Sequence, residues 1–181
     1  DVIFVNKITF PDVPVKEKKY SNDEAYVAFI SDVHVGSRLF LQDDFVRFIE
    51  WLNGNVGSKE QRDLANKVGY LFIVGDLVDG CGIYPSQEKE LTYPDIYKQY
   101  ELSAQLLSKI RKDLSIIICP GNHDAVRISE PQPAFSKYAE SLSKLPNVFL
   151  VSNPALVNVH ASPNFSGFDI LMYHGYSFDY Y

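Results

Sequence analysis

Four short polar clusters carry the side chains that could do chemistry: Ser31-Asp32-Val33-His34, Gly75-Asp76-Leu77-Val78-Asp79-Gly80, Gly121-Asn122-His123-Asp124 and His174-Gly175. Together they offer carboxylate, carboxamide and imidazole donors. That mixture suits Mn²⁺, Fe²⁺ or Zn²⁺ better than Ca²⁺, which prefers oxygen alone. In Asp32-Val33-His34 an extended backbone would point residues 32 and 34 the same way, so that a carboxylate and an imidazole grip one ion while Val33 turns into the core. Gly75 and Gly121 would allow tight turns and leave room for a phosphate.

Each cluster directly follows an apolar run: residues 26–30, 70–74, 115–119 and 168–173. Short apolar runs ending in polar turns read as buried strands. The carboxyl ends of strands in an α/β sheet are where ligands bind, so four such ends can converge on one crevice. Between them, Asp43 and Asp44 open a helix with Phe45, Phe48, Ile49 and Leu52 on one face and Gly54 at its end. Residues 53–61 read as a loop and 64–68 as a short helix. Pro94 is placed to open a long helix whose apolar side is Ile96, Tyr100, Leu106, Leu107, Ile110 and Leu114. Residues 135–145 look helical, and 148–151 and 156–159 look like strands. Residues 2–5 and 8–10 read as strands before a Pro11–Pro14 turn. The domain division expected is an N-terminal strand and linker at 1–24, then a main domain at 25–181. Alternating strands and helices predict an α/β domain, with either a mixed sheet or two sheets packed face to face and helices outside.

The 181 residues suffice for one sizeable core, and 12 Tyr with 12 Phe would fill much of it. No run of ~18 apolar residues is present to span a membrane. Cys81 and Cys119 read as buried, reduced thiols rather than a disulfide framework, which fits a cytoplasmic setting. The net charge of −6 argues against a protein that coats nucleic acid by charge alone. It does not exclude an enzyme that reaches phosphate through bound cations.

In order, the clusters read D-x-H, G-D-x-x-D-G, G-N-H-D and H-G. This pattern resembles the calcineurin-like metallophosphoesterases, and all four motifs after strands make a specific match. The resemblance implies a four-layer α-β-β-α sandwich with mixed sheets and two divalent metal ions, Mn²⁺ foremost. It places Asp32 and His34 on the first ion, Asp76 between both, and Asn122 and His174 on the second. His123 and Asp124 are the candidate catalytic residues. His123 would stand off the metals as a proton donor or phosphate contact, while Asp124 and Asp79 would orient ligands. The chemistry implied is in-line hydrolysis of a phosphoester. The family pattern also includes a closing G-H-x-H, which does not occur before Tyr181. His160 stands alone outside the motifs and reads as structural or exposed. The expectation is a domain incomplete at its C-terminus, with weak metal binding and little activity as it stands.

Further segments resemble the small subunits of archaeal family D DNA polymerases: Phe10-Pro11-Asp12-Val13-Pro14, Ser31 through Ser37, Gly121 through Arg127, Glu130-Pro131-Gln132-Pro133-Ala134-Phe135 and Tyr173 through Asp179. Metal chemistry does not require the Glu-Pro-Gln-Pro stretch, so it is the most diagnostic. This resemblance implies a 3′–5′ exonuclease at the DNA primer end. Its implied partners are a large catalytic subunit and a sliding clamp. Two other functions stay open at this stage: a non-catalytic polymerase scaffold, and a phosphatase or cyclic-nucleotide phosphodiesterase on the same site. Phe45, Phe48 and Trp51 read as core at helical spacing rather than base-stacking rings. The basic groups Lys16-Lys18-Lys19 and Lys109-Arg111-Lys112 read as solvated surface.

Overall fold

A computed structural model describes residues 5, 7–8 and 17–180. The strands expected at 2–5 and 8–10, and the turn after them, lie outside the described residues apart from Val5 and Ile8, which are in neither strand nor helix.

Four strands, β1 (Tyr26–Ile30), β2 (Val68–Val74), β3 (Ser115–Cys119) and β4 (Val148–Leu150), form one parallel sheet in the order β1-β2-β3-β4. Two more, β5 (Ala155–Val159) and β6 (Phe168–Met172), pair antiparallel as a second sheet. Of the two arrangements expected, face-to-face sheets are the one formed.

The central strands are apolar on both faces, as a sheet covered on both sides requires. Leu71 and Ile73 of β2, with Ile116 and Ile118 of β3, join one core. The alternate residues Phe72, Ile117 and Cys119 join the other, against Val159 and Met172 of the second sheet. The first core is closed by helices α1 (Gln42–Leu52), α3 (Ile96–Leu107) and α4 (Glu140–Ser143), through Ile49, Leu52, Tyr100, Leu107 and Leu142. Among the described residues the layers are therefore helices, parallel sheet and antiparallel sheet. The outer face of the antiparallel pair carries Leu156 opposite Leu171, both exposed.

Several local expectations are corrected. Residues 53–61 are not all loop, because α2 (Lys59–Lys67) begins there on a capping box. The Ser58 hydroxyl accepts the Gln61 amide while the Gln61 side chain accepts the Ser58 amide. Pro94 does not open α3. The Asp95 carboxylate caps it by accepting the Tyr97 and Lys98 amides, so the proline sits one residue outside. Ile110 and Leu114 are buried as expected but lie beyond the helix end. Residues 135–145 give only a 3₁₀ turn and the single turn of α4. Cys81 is exposed, on the loop after Gly80, whereas Cys119 is buried and its thiol is pushed up to about 12 by that burial. Arg111 is not solvated surface. Its guanidinium donates to the carbonyls of Leu52, Ala65 and Val68, tying α1, α2 and β2 together.

Candidate metal centre

The loops after β1, β2, β3 and β6 meet beyond the sheet ends. The Asp32 amide donates to the Gly75 carbonyl and the His34 amide to the Asp76 carbonyl, which aligns the first loop on the second. Asp32, His34 and Asp76 all adopt left-handed backbone conformations, with φ of 55°, 52° and 52°. The extended Asp32-Val33-His34 geometry expected from sequence is thus not formed. Non-glycine residues are rare in this region, and such strain concentrates where function requires it.

Two groups of donor atoms result, each with members within 4.8 Å of one another: His34, Asp76 and His123, and Asp32, Asp76 and His174. Asp76 belongs to both. Its Oδ2 lies 3.7 Å from His34 Nε2 and 3.4 Å from His174 Nε2. Asn122 Oδ1 is 3.2 Å from the same His174 nitrogen. Asp32 Oδ1 is 3.9 Å from His34 Nε2. The five candidate ligands and His123 therefore come together, although the pairing by distance sets Asp32 with His174 and His34 with His123.

All three imidazoles are held in the same way. His34 Nδ1 lies 3.0 Å from Asp79 Oδ1, His123 Nδ1 is 2.7 Å from the Asp79 carbonyl and His174 Nδ1 is 2.8 Å from the Val74 carbonyl. A carbonyl only accepts, so in His123 and His174 the Nδ1 carries a proton, and in the neutral ring Nε2 is left with its lone pair. Outward Nδ1 contacts of this kind fix the tautomer of metal-binding histidines. The donor set, its convergence and the orientation of the rings all fit divalent cations.

The electrostatics point the same way. Burial works to raise the Asp76 carboxyl, but hydrogen bonds from His174 and the His123 amide outweigh it and hold the group below its usual range. Burial also works against a charged His174, yet the neighbouring Asp76 raises that imidazole to about 9. A protonated imidazole is here the local cation beside a buried carboxylate, and a metal ion would displace its proton.

Asp124 faces inward as a brace. Its Oδ2 accepts the Leu77 and Gly121 amides at 3.3 and 2.9 Å, and its Oδ1 accepts the Tyr100 hydroxyl at 3.2 Å. Burial pushes its carboxyl up to about 7 against the pull of these donors. It joins the second and third loops to α3. Gly75 takes the left-handed conformation of a tight turn, with φ of 84°, but the space beside the two glycines is not open to phosphate. A Cβ on Gly75 would stand 2.3 Å from His174 Nδ1, and one on Gly121 would stand 2.2 Å from Asp76 Oδ1. The space is taken by ligand side chains.

Some supports escaped sequence reasoning. Gln87 is fully buried and donates to both the carbonyl and the carboxylate of Asp79. Gln132 and Asn153 are also buried. Gln132 Nε2 donates to the Gly121 carbonyl, Asn153 Nδ2 donates to Gln132 Oε1, and Asn153 Oδ1 accepts the His174 amide. The Glu-Pro-Gln-Pro stretch was the available signal for Gln132. Nothing local in the sequence marks Asn153. His160 stays outside the cluster, its Nε2 3.0 Å from Asp23 Oδ1.

Comparison with known proteins agrees with this geometry. The family model described as calcineurin-like phosphoesterase matches residues 25–180. The chain belongs to the calcineurin-like phosphoesterase family. Within that family it is 50% identical over 179 residues to the DNA polymerase II small subunit of Methanothermobacter thermautotrophicus, covering 98% of this chain and 35% of that protein. The protein of the same name from Pyrococcus furiosus is 46% identical over 177 residues, covering 96% and 28%. That from Halobacterium salinarum is 40% identical over 179, covering 98% and 32%. The chain thus spans about a third of the length of these curated relatives. No helix among its described residues is long and apolar enough to cross a membrane.

Proposed function

We propose that this chain is the phosphodiesterase part of a polymerase-associated 3′–5′ DNA exonuclease working with two divalent ions, Mn²⁺ foremost. The observation that carries the reading is Asp76, one buried carboxylate shared by two donor groups. Asp32, His34, Asp76, Asn122 and His174 would hold the ions. When bound, such ions acidify a water and neutralise phosphate oxygens.

The chain's own residues divide the remaining work. Asp79 orients His34 through its carboxylate and His123 through its carbonyl, so one residue sets two rings. His123, with Nε2 directed to the cluster, can accept or deliver a proton at the leaving oxygen. Asp124 and Tyr100 keep the second and third loops in register. The substrate and the partners, a large polymerase subunit and DNA primer ends, rest on likeness to proteins named as polymerase small subunits.

The test is manganese-dependent digestion of labelled single-stranded and mismatched primer DNA by the longest protein containing this chain. Stepwise loss from the 3′ end, abolished by Asp76→Ala and strongly reduced by His123→Ala, is the expected result. No digestion, with no metal retained on elemental analysis, would leave a scaffold that tethers a polymerase.

A further inference from the structure

The donor cluster opens sideways into a cavity of about 560 Å³. Asp32, His34 and His123 line both spaces. The cavity floor is Phe40, Phe45 and Phe48, with neighbouring ring centroids 5.9 and 6.2 Å apart. Phe45 and Phe48 do pack on the helical core as their spacing predicts, and the same rings also face this space. Its lips are Leu39 and Leu41, which are 83% and 70% exposed. Tyr84 also lines it, beside the donor cluster, its hydroxyl donating to Glu90 and its ring centroid 6.3 Å from that of His123.

Two features narrow the occupant. Exposed leucines around an aromatic floor call for an apolar, flat partner. The charged side chains lining the cavity are Asp32, Asp44, Asp79 and Glu90, with no lysine or arginine among them. This rim repels phosphate, so a nucleic-acid backbone would not run across it; a neutral ring would be accepted. A nucleotide joins both chemistries, a phosphate for the metal cluster and a neutral flat base for the cavity, through one sugar.

We infer that this cavity seats the nucleobase of the nucleotide whose phosphate occupies the donor cluster, making the site selective for a nucleotide terminus over a simple phosphodiester. The inference rests on the phosphodiesterase reading of the cluster. An apolar segment of a partner protein is the competing occupant.

The test uses fluorescence anisotropy of the longest protein containing this chain in Mn²⁺, with short oligothymidylates whose terminal linkage is a cleavage-resistant phosphorothioate. A matched set lacks the terminal base. Stacking on aromatic rings predicts about tenfold weaker binding of the abasic set. The Leu39→Ser, Leu41→Ser double variant alters only exposed lips, and its fold is checked by thermal unfolding. It should narrow the difference between the two sets. Equal binding of both sets by the parent chain overturns the inference, as does undiminished discrimination by the variant. Shielding of Leu39 and Leu41 from carbene labelling by a protein partner, but not by oligonucleotide, also overturns it. Hydrolysis of methyl p-nitrophenyl phosphate by the same parent preparation reports on the cluster separately. Hydrolysis without base discrimination sinks the cavity assignment alone, and no hydrolysis with no bound Mn²⁺ sinks the cluster reading as well.

Discussion

The Asn153 side-chain oxygen accepts the backbone amide of His174 at 3.0 Å, and through it a ligand on the loop after β6 is fixed to the parallel sheet's side of the molecule. The other end of the same carboxamide donates to Gln132, which in turn holds the Gly121 carbonyl. One buried relay thus links the third and fourth motifs, and neither linking residue belongs to a motif. Replacing Asn153 with Ala orphans the His174 amide and Gln132 Oε1 together. A loss of about 2 kcal/mol in urea unfolding is expected, since each unsatisfied buried group costs about 1–3 kcal/mol. Calorimetric Mn²⁺ titration should show weakened binding as well.

Gly75 has a φ of +84°, and its absent Cβ is the space that His174 fills. Gly75→Ala adds both a left-handed penalty and a clash with a ligand. The expected cost is about 2 kcal/mol or more, from backbone strain of about 1–3 kcal/mol plus displacement of the ring. Gly82 also has positive φ, but a Cβ there meets nothing within 4 Å. Gly82→Ala should therefore cost less and leave Mn²⁺ affinity unchanged. Equal losses of metal affinity in the two variants would contradict the role given to the space.

Because Asp76 alone belongs to both donor groups, its removal should differ in kind from removal of a ligand at one end. Asp76→Asn is expected to abolish retention of both ions, whereas His34→Gln and His174→Gln each weaken one. Elemental analysis after gel filtration, with stoichiometry read by Mn²⁺ electron paramagnetic resonance, checks this. Stepwise loss of one ion in the Asp76 variant would count against the shared carboxylate.

In chelator, the His174–Asp76 pair ties stability to pH. The His174 imidazole is raised from 6.5 to about 9 in the folded chain. Its stabilisation is fully present below 6.5 and is lost as pH rises through about 9. Asp76 is held below its ordinary value of 3.8, so its contribution persists above that pH and disappears only in strong acid. The urea midpoint of the metal-free chain should fall between pH 7 and 9.5, and His174→Gln should flatten that fall. Adding Mn²⁺ should reverse the slope, because the metal takes the unprotonated ring.

The legible part of the site was its chemistry. Asp32, His34, Asp76, Asn122, His123 and His174 are donors by residue type, and each follows an apolar strand whose end had to be near the others. Asp79 reads in sequence as an orienting group, and its double contact, carboxylate to His34 and carbonyl to His123, depends on how its loop folds over Gln87. The helix errors have local causes. Ser58-x-x-Gln61 is a capping signal ahead of a segment with little apolar periodicity, and Asp95 outcompetes Pro94 because a carboxylate satisfies two free amides while a proline only fits the turn.

The sequence by itself determined the central strands β2 and β3, because continuous apolar runs have no stable place except between two covering layers, and it determined the donor types at their ends. Only the tertiary structure decided which donors pair, and that Asp32 and His34 converge from left-handed rather than extended backbone. It also brought Asn153 under His174, residues 21 positions apart with no shared pattern. Strand identity is set by neighbours along the chain, whereas the pairing of ligands is set by side chains from four separate loops competing for one small volume.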